Sequence, residues 1–146
     1  MRLIPILFGA AALSLPVLAA ADPIATRQAL MDSLAASAGL AGGVQKGEID
    51  YAPAIGKAAL TAAAATALAY GDYFPEGSDS GETKASPKIW TDRAAFDAEL
   101  AKFQEAALAA AAGSGKDGPA DAEAFVELFK PVMGTCKSCH EGFRLK

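Results

Sequence analysis

The C-terminal segment repeats apolar residues with the spacing of one helix face, and this pattern restricts the fold more than any other feature. Counting from Phe125, the repeats fall at offsets of 3, 4, 7, 8, 11, 14, 15 and 18 residues. Such offsets predict an amphipathic α-helix. Pro131 lies inside it, and we expect it to kink the helix or to cost roughly 3 kcal/mol. The predicted face consists of Phe125, Leu128, Phe129, Val132, Met133, Cys136, Cys139, His140 and Phe143.

Three earlier segments are also predicted to be helical. The chain after residue 21 is dominated by Ala with Leu, Glu and Lys and has few β-branched residues, a bias that favours helix. Short connections between such helices predict an all-α, antiparallel up-down four-helix bundle. The four predicted helices span Asp22 to about Lys46, Asp50 to about Gly71, Ser86 or Thr91 to about Gly113, and Pro119 to Phe143.

The predicted bundle has little material for its interior. Only 8% of the residues are aromatic, so Ala-rich helices would form a thin core that a large apolar cofactor could help to fill. A turn-rich stretch from Tyr73 to about Ser86 separates the second and third helices, and loops of this length are often functional. The stripe expected to be buried on the second helix consists of Ile55, Ala58, Ala62, Ala65 and Ala69.

One motif carries recognisable chemistry. Cys136-Lys137-Ser138-Cys139-His140 has the form C-x-x-C-H, the signature of c-type haem attachment. On a helix, residues at i, i+3 and i+4 share a face. Two thiols can therefore bond to two vinyl groups at one edge of a porphyrin while the adjacent imidazole reaches the iron. We predict one covalent haem c, attached through Cys136 and Cys139 and ligated by His140.

Other interpretations of a motif with two cysteines and one histidine have less support in the sequence. A zinc site needs about four ligands, and nothing in the sequence points to a carboxylate that would complete one. A thioredoxin-like redox pair belongs in a βαβ setting, which this sequence does not show. A disulfide between Cys136 and Cys139 in an oxidising compartment remains the alternative to haem attachment.

The first 21 residues have the pattern of a secretory signal peptide. Arg2 precedes an apolar run from Leu3 to Leu18, and Ala19-Ala20-Ala21 offers a cleavage site. A membrane anchor is the alternative, but the run is short for a span of ~20 residues and is interrupted by Pro and Gly. We therefore predict cleavage, a domain over residues 22–146, a periplasmic location and no membrane insertion of the processed chain.

The charge of the processed chain limits its partners. Without Arg2, 12 basic residues face 17 acidic ones, which gives a net charge of about −5. Nucleic-acid binding would require a basic surface, so we exclude that class. The acidic character favours attraction to a basic partner.

The whole of residues 22–146 resembles the class II c-type cytochromes, the cytochrome c′ family. In that family the haem motif lies near the end of the last helix of a four-helix bundle, as C-K-S-C-H-E-G-F-R does here with its aromatic-Arg ending. The likeness extends, in the expected order, to A-T-R-Q-A-L-M, V-Q-K-G-E-I-D-Y-A-P, F-P-E-G-S-D-S-G and S-P-K-I-W-T-D. The resemblance implies a four-helix domain with one covalent haem c.

The resemblance also implies a second iron ligand. Typical members leave the iron five-coordinate beside an apolar residue four positions after the first-helix Arg, whereas a low-spin branch places methionine there. In this chain the Arg is Arg27 and the residue is Met31. Met133 is an unsuitable ligand, since it precedes His140 by seven residues on the same helix and so lies on the same side of the ring. The alternative role for Met31 is that of a core methionine.

Three polar residues are assigned to the haem edge by the same resemblance. Arg27 would pair with a haem propionate, and Gln28 would lie beside it. Arg144 would meet a propionate or shield the imidazole of His140. The alternatives are an exposed charge of little energetic consequence for Arg27 and an ordinary basic helix end for Arg144.

These features predict a periplasmic electron-transfer protein that exchanges electrons with redox partner proteins and is not an enzyme. His/Met ligation raises the reduction potential and closes the iron to external ligands. A five-coordinate cytochrome c′ that binds NO or CO is the alternative. A haem enzyme such as a peroxidase would want a second, distal acid-base group, and His140 is the single His. Family members often pair through their first two helices, which leaves room for a homodimer.

Overall fold

A computed structural model describes residues 22–146, so the predicted signal peptide over residues 1–21 lies outside the described part of the chain. This part contains five α-helices, and a 3₁₀ turn, Gly71–Tyr73, extends the second of them. The helices are α1 (Pro23–Gln45), α2 (Pro53–Tyr70), α3 (Lys88–Thr91), α4 (Arg93–Gly113) and α5 (Ala122–Phe143).

The four long helices form the predicted bundle. Helix α1 packs against α2 and α5, and α4 packs against α2 and α5, so each long helix has two principal neighbours. The short helix α3 leads into α4, because Asp92 leaves the helical conformation at φ −134° and ψ 57° and interrupts the segment. The all-α four-helix bundle is thereby confirmed. The start considered at Ser86 lies two residues before α3, whereas the start considered at Thr91 was wrong by two residues, because Thr91 ends α3 and α4 begins at Arg93.

Side-chain caps set the starts of α1 and α5. Asp22 accepts a hydrogen bond from the Ile24 backbone N–H at 2.9 Å, as expected for an N-cap followed by proline. Asp121 accepts in the same way from the Ala124 N–H at 2.9 Å. The prediction that the last helix opens at Pro119 was therefore wrong by about one turn, because Asp121 is the better cap. Helix α5 continues past Pro131, whose ring is exposed.

The end of the bundle that holds the start of α5 is filled by protein alone, and we call it the closed half. Three side chains of α5 are almost fully buried there against small residues of α2 and α4. Close packing is strict: a Cβ added at Gly56 would lie 2.9 Å from the Tyr51 hydroxyl and 3.2 Å from Phe125. The closed-half core consists of Ala41, Val44, Ala59, Leu60, Ala63, Ala67, Phe103, Ala107, Ala110, Phe125, Phe129 and Val132.

The buried face of α2 differs from the predicted stripe. Ala58 and Ala65 are exposed, whereas Ala59, Ala63 and Ala67 are buried. In a segment composed almost wholly of Ala, apolar character hardly varies around the helix, so the sequence does not mark the face that packs.

The other end of the bundle, which we call the open half, contains a second and smaller cluster formed by Phe74, Ile89, Phe96 and Phe143. The Phe96 ring meets Phe74 edge-on at a centroid distance of 4.8 Å and Phe143 at 5.4 Å. An isolated antiparallel bridge joins Ala85 to Arg144 and ties the end of the chain to the loop before α3. These aromatic rings surround a large cavity rather than fill it.

Candidate haem site

The open half encloses a cavity of about 590 Å³ between α1, α4 and the second half of α5. Ligand pockets in proteins typically have volumes of ~300–1,000 Å³ and mostly apolar walls. This cavity combines apolar walls with the residues of the C-x-x-C-H motif. Its apolar lining includes Leu34, Ala35, Ala38, Tyr70, Phe74, Ile89, Phe96, Leu100, Phe103 and Phe143.

Helix α5 supplies the wall that carries the motif. Cys136 and Cys139 are half-buried, both thiols are free, and both line the cavity together with His140. Burial raises the pKa of each thiol, because a thiolate would lose hydration. Partial burial, and then the positive charge of Arg144, lowers the pKa of His140. The neutral imidazole that a metal requires is therefore the favoured form at neutral pH.

Helix α1 supplies the facing wall. Met31 is half-buried and lines the cavity, as do Gln28 and Asp32 on the same helix. Met133 is 46% exposed and belongs to a separate groove between α1 and α5. Of the two methionines in the described residues, only Met31 borders the cavity. The structure thus brings together all four residues predicted to hold the haem and its iron: Cys136, Cys139, His140 and Met31.

These walls fit a haem. Two thiols and one imidazole lie on one helix face, a thioether lies on another helix, and apolar side chains and aromatic rings line the space between them. A structural zinc site fits less well, because no group of three or more His, Cys, Asp or Glu side chains in residues 22–146 is arranged to hold a metal ion.

Arg27 reaches the margin of the cavity, but its hydrogen bonds run to the neighbouring loop. Arg27 is 3% exposed, and its guanidinium donates to the Tyr73 and Ser78 carbonyls and to the Ser78 and Thr83 hydroxyls. Burial lowers its pKa, while Tyr70 and then Asp22 act in the opposite direction. Its predicted role toward a haem propionate stays a prediction.

The other two predicted edge residues also border the cavity. Gln28 donates to the Glu82 carbonyl at 2.8 Å and so contacts the same loop as Arg27. Arg144 is exposed, and its backbone N–H bonds to the His140 carbonyl at 3.2 Å where α5 ends. Its predicted function as a propionate partner or imidazole shield stays a prediction.

Several lining residues were not predicted from the sequence. Tyr70 packs edge-on against Phe74 at 5.1 Å, and burial raises its pKa to about 12, with Cys139 adding to the shift and Arg27 opposing it. Thr83, Lys84 and Ala85 enter from the long loop. The turn-rich composition of that loop signals function without showing which of its residues turn inward.

Comparison with known proteins gives a consistent result. A family model described as Cytochrome C′ matches residues 22–144. A cytochrome c-556 of Agrobacterium tumefaciens is 37% identical over 120 residues, which are 82% of this chain and 92% of that protein.

Solved structures resemble the bundle closely. That of cytochrome c′ from Rhodopseudomonas palustris has a TM-score of 0.74 at 35% identity and covers 87% of this chain and 98% of that chain. A nitric oxide complex of a mutant cytochrome c′ from Alcaligenes xylosoxidans has a TM-score of 0.72 at 27% identity and covers 86% and 94%.

Proposed function

Because the chain belongs to the cytochrome c′ family and carries one covalently attached haem c, we propose that it is an electron-transfer protein whose haem iron is held between His140 and Met31. One observation supports this choice above the others. Met31 borders the cavity from α1 while the haem motif borders it from α5. A thioether is thus available on a different helix from the imidazole.

The residues of the cavity have distinct tasks in this proposal. Cys136 and Cys139 hold one edge of the haem as thioethers, and His140 supplies the neutral imidazole. Met31 would supply a thioether to the iron, which would exclude water and external ligands and favour a raised reduction potential. The aromatic and aliphatic walls keep the interior apolar. A bound haem supplies one-electron transfer at its iron.

The same arrangement argues against an enzyme. His140 is the single His of the chain, and its imidazole is committed to the iron. We propose that the protein transforms no substrate and exchanges electrons with redox partner proteins in the periplasm, where the predicted signal peptide would deliver it. Among the described helices, none combines the length and apolarity that crossing a membrane requires. Self-association into a homodimer is compatible with this role.

A second candidate function is the binding of NO or CO at a five-coordinate iron. One relative with this fold was solved as a nitric oxide complex, which favours considering it. In this chain the candidate requires that Met31 packs beside the iron without ligating it.

Replacement of Met31 separates the two functions. We expect the oxidised protein to be low-spin by electron paramagnetic resonance, and Met31→Ala to convert it to a high-spin form that binds CO rapidly when reduced. Met133→Ala is the matched control, because it removes an exposed methionine outside the haem cavity. The control should leave spin state and CO binding unchanged.

The opposite result is equally clear. A high-spin wild-type protein, unchanged by Met31→Ala, would reject methionine ligation and favour the gas-binding function. Colourless protein, purified from cells that mature c-type cytochromes, would contradict haem attachment itself.

A further inference from the structure

Arg27 is the one buried residue in the first half of α1. The buried residues of this helix are Arg27, Ser37, Ala41, Gly43 and Val44, so from Pro23 to Ala36 only Arg27 is fully buried, while Met31 and Leu34 are partly buried. Met31 follows it by four residues on the same helix face. Leu34 packs against the closed-half core and Gln28 bonds to the loop between α2 and α3, and Arg27 is the buried side chain that joins this segment to that loop.

The contacts of Arg27 lead to the loop between α2 and α3. Atom Nη1 donates to the Tyr73 carbonyl at 2.9 Å and to Ser78 Oγ at 2.9 Å. Atom Nη2 donates to the Ser78 carbonyl at 2.8 Å and to Thr83 Oγ1 at 3.3 Å. The two terminal nitrogens of a guanidinium carry four N–H groups, and the loop engages all four.

Aromatic rings enclose the same guanidinium. Its central carbon lies 4.7 Å from the centroid of Phe74 and 5.7 Å from that of Trp90. The Trp90 indole donates to the Pro75 carbonyl at 3.0 Å, which adds an anchor on the far side of the loop. All four oxygen acceptors are neutral, and among the described residues no Asp or Glu forms an ion pair with Arg27.

We propose that Arg27 is a positioning residue that clamps residues 73–83 onto α1 and thereby holds Met31 at the cavity. The inference rests on the proposed function, since it assigns to Arg27 the maintenance of the Met31 ligand. The planar fork of the guanidinium is essential, because its two terminal nitrogens serve acceptors at Tyr73, Ser78 and Thr83 at the same time. A point charge at this position would serve fewer of them.

The variant Arg27→Lys distinguishes the hydrogen-bonding geometry of the guanidinium from its positive charge, because lysine keeps only the charge. If Arg27 acted only as a positive charge near a haem propionate, Arg27→Lys would restore the wild-type properties and Arg27→Gln would not. If Arg27 acts as the clamp, both variants release the loop. Arg93→Gln is the matched control, because Arg93 also lies over an aromatic ring, at 5.5 Å from Phe96, but is exposed and bonds only to Asp97.

Two measurements on the haem-loaded protein test the proposal. A Glu-specific protease reports loop release through cleavage after Glu76 and Glu82, both of which are exposed. We expect cleavage to accelerate roughly tenfold or more in Arg27→Lys and Arg27→Gln, because hydrogen bonds to a charged donor are lost and cleavage follows the population of open loop. Electron paramagnetic resonance should show a new high-spin fraction in both variants and none in Arg93→Gln.

A milder variant keeps the proposal testable if the Arg27 variants fail to yield haem-loaded protein. Ser78→Ala/Thr83→Val keeps Arg27 and removes two of its four acceptors, so we expect an intermediate acceleration of cleavage. Full protection of the loop in Arg27→Lys would overturn the clamp in favour of a charge. Faster cleavage with an unchanged low-spin signal would overturn the positioning of Met31. A high-spin wild-type protein would instead reject the proposed function, and the cleavage rates would still decide whether Arg27 holds the loop.

Discussion

The two halves of the bundle differ in what occupies the space between their Ala-rich helices. In the closed half, Phe125 and Phe129 of α5 fill the space between Ala-rich helices, and their rings meet at 6.0 Å. In the open half, aromatic rings surround a cavity of about 590 Å³. The few aromatic residues of the chain are thus divided between two cores. One core is complete as protein, and the other requires the haem.

Helix α5 runs through both halves, which meet just after Val132. Its first part contributes buried Phe side chains, and its second part contributes Cys136, Cys139 and His140 to the cavity wall. Anchoring the cofactor to the helix that also fills the closed half ties the incomplete core to the complete one. We therefore expect changes in the two halves to have separable effects.

Loss of the haem should have the largest effect, confined to the open half. The double variant Cys136→Ala/Cys139→Ala lacks both thiols that attach the haem, so the cavity walls lose the haem that they enclose. We expect the free energy of unfolding to fall by more than about 4 kcal/mol, because several apolar side chains, each worth ~1.5–3 kcal/mol when buried, are left exposed. Hydrogen exchange should become fast in residues 74–87 and the first half of α1, and stay slow around Leu60 and Phe125.

Lys137→Ala serves as the control for this experiment. Lys137 lies between the two cysteines but is exposed, and its ion pair with Glu141 spans 3.7 Å, so its loss should leave attachment and exchange unchanged. Uniformly fast exchange in both halves of the haem-free protein would contradict the comparison, since it would mean that the closed half also depends on the cofactor.

Truncation in the closed half should reduce stability without changing the haem. Phe125 is fully buried, and Phe125→Ala should lower the free energy of unfolding by about 3–4 kcal/mol in urea titrations of the haem-loaded protein. The haem absorption spectrum should stay that of the wild type. Leu108→Ala is the control, because Leu108 is 42% exposed and its truncation should change stability by less than about 0.5 kcal/mol.

The same substitution tests whether the halves are independent. If they are, Phe125→Ala should cost a similar amount with and without the haem, within about 0.5 kcal/mol. A shift in the haem spectrum of Phe125→Ala would show that the closed half positions the iron ligands, and would contradict the separation.

The residues of the haem motif could be recognised in the sequence more directly than the packing of the helices around them. The C-x-x-C-H spacing follows from covalent chemistry, so Cys136, Cys139 and His140 could be recognised without knowing the fold. Helix α4 has large apolar residues, Phe96 and Phe103, which stand out among its alanines and are buried. The packed face of α2 could not be predicted, since a run of Ala has no distinct apolar side.

Contacts of the loop were beyond prediction for a different reason. Ser78 and Thr83 approach Arg27 across 51 and 56 positions of sequence, and no local pattern encodes a hydrogen bond over that separation. The resemblance to the cytochrome c′ family predicted a haem-edge role for Arg27. Its involvement with the loop became visible only in the folded chain.

The smallest predicted effect is a pH dependence of stability, which tests whether the cavity wall at Tyr70 is shielded from water. Burial raises the pKa of Tyr70 to about 12, above the value near 10 of an unfolded chain. Between those values the folded protein holds a proton that the unfolded chain has released, so stability is complete below pH 10 and falls as the pH rises toward 12. Tyr70→Phe cannot ionise, so the wild-type protein should lose about 1–2 kcal/mol more than this variant over that range. Parallel stability curves of the two haem-loaded proteins, measured by urea titration, would mean that Tyr70 is hydrated and that the haem does not keep this wall dry.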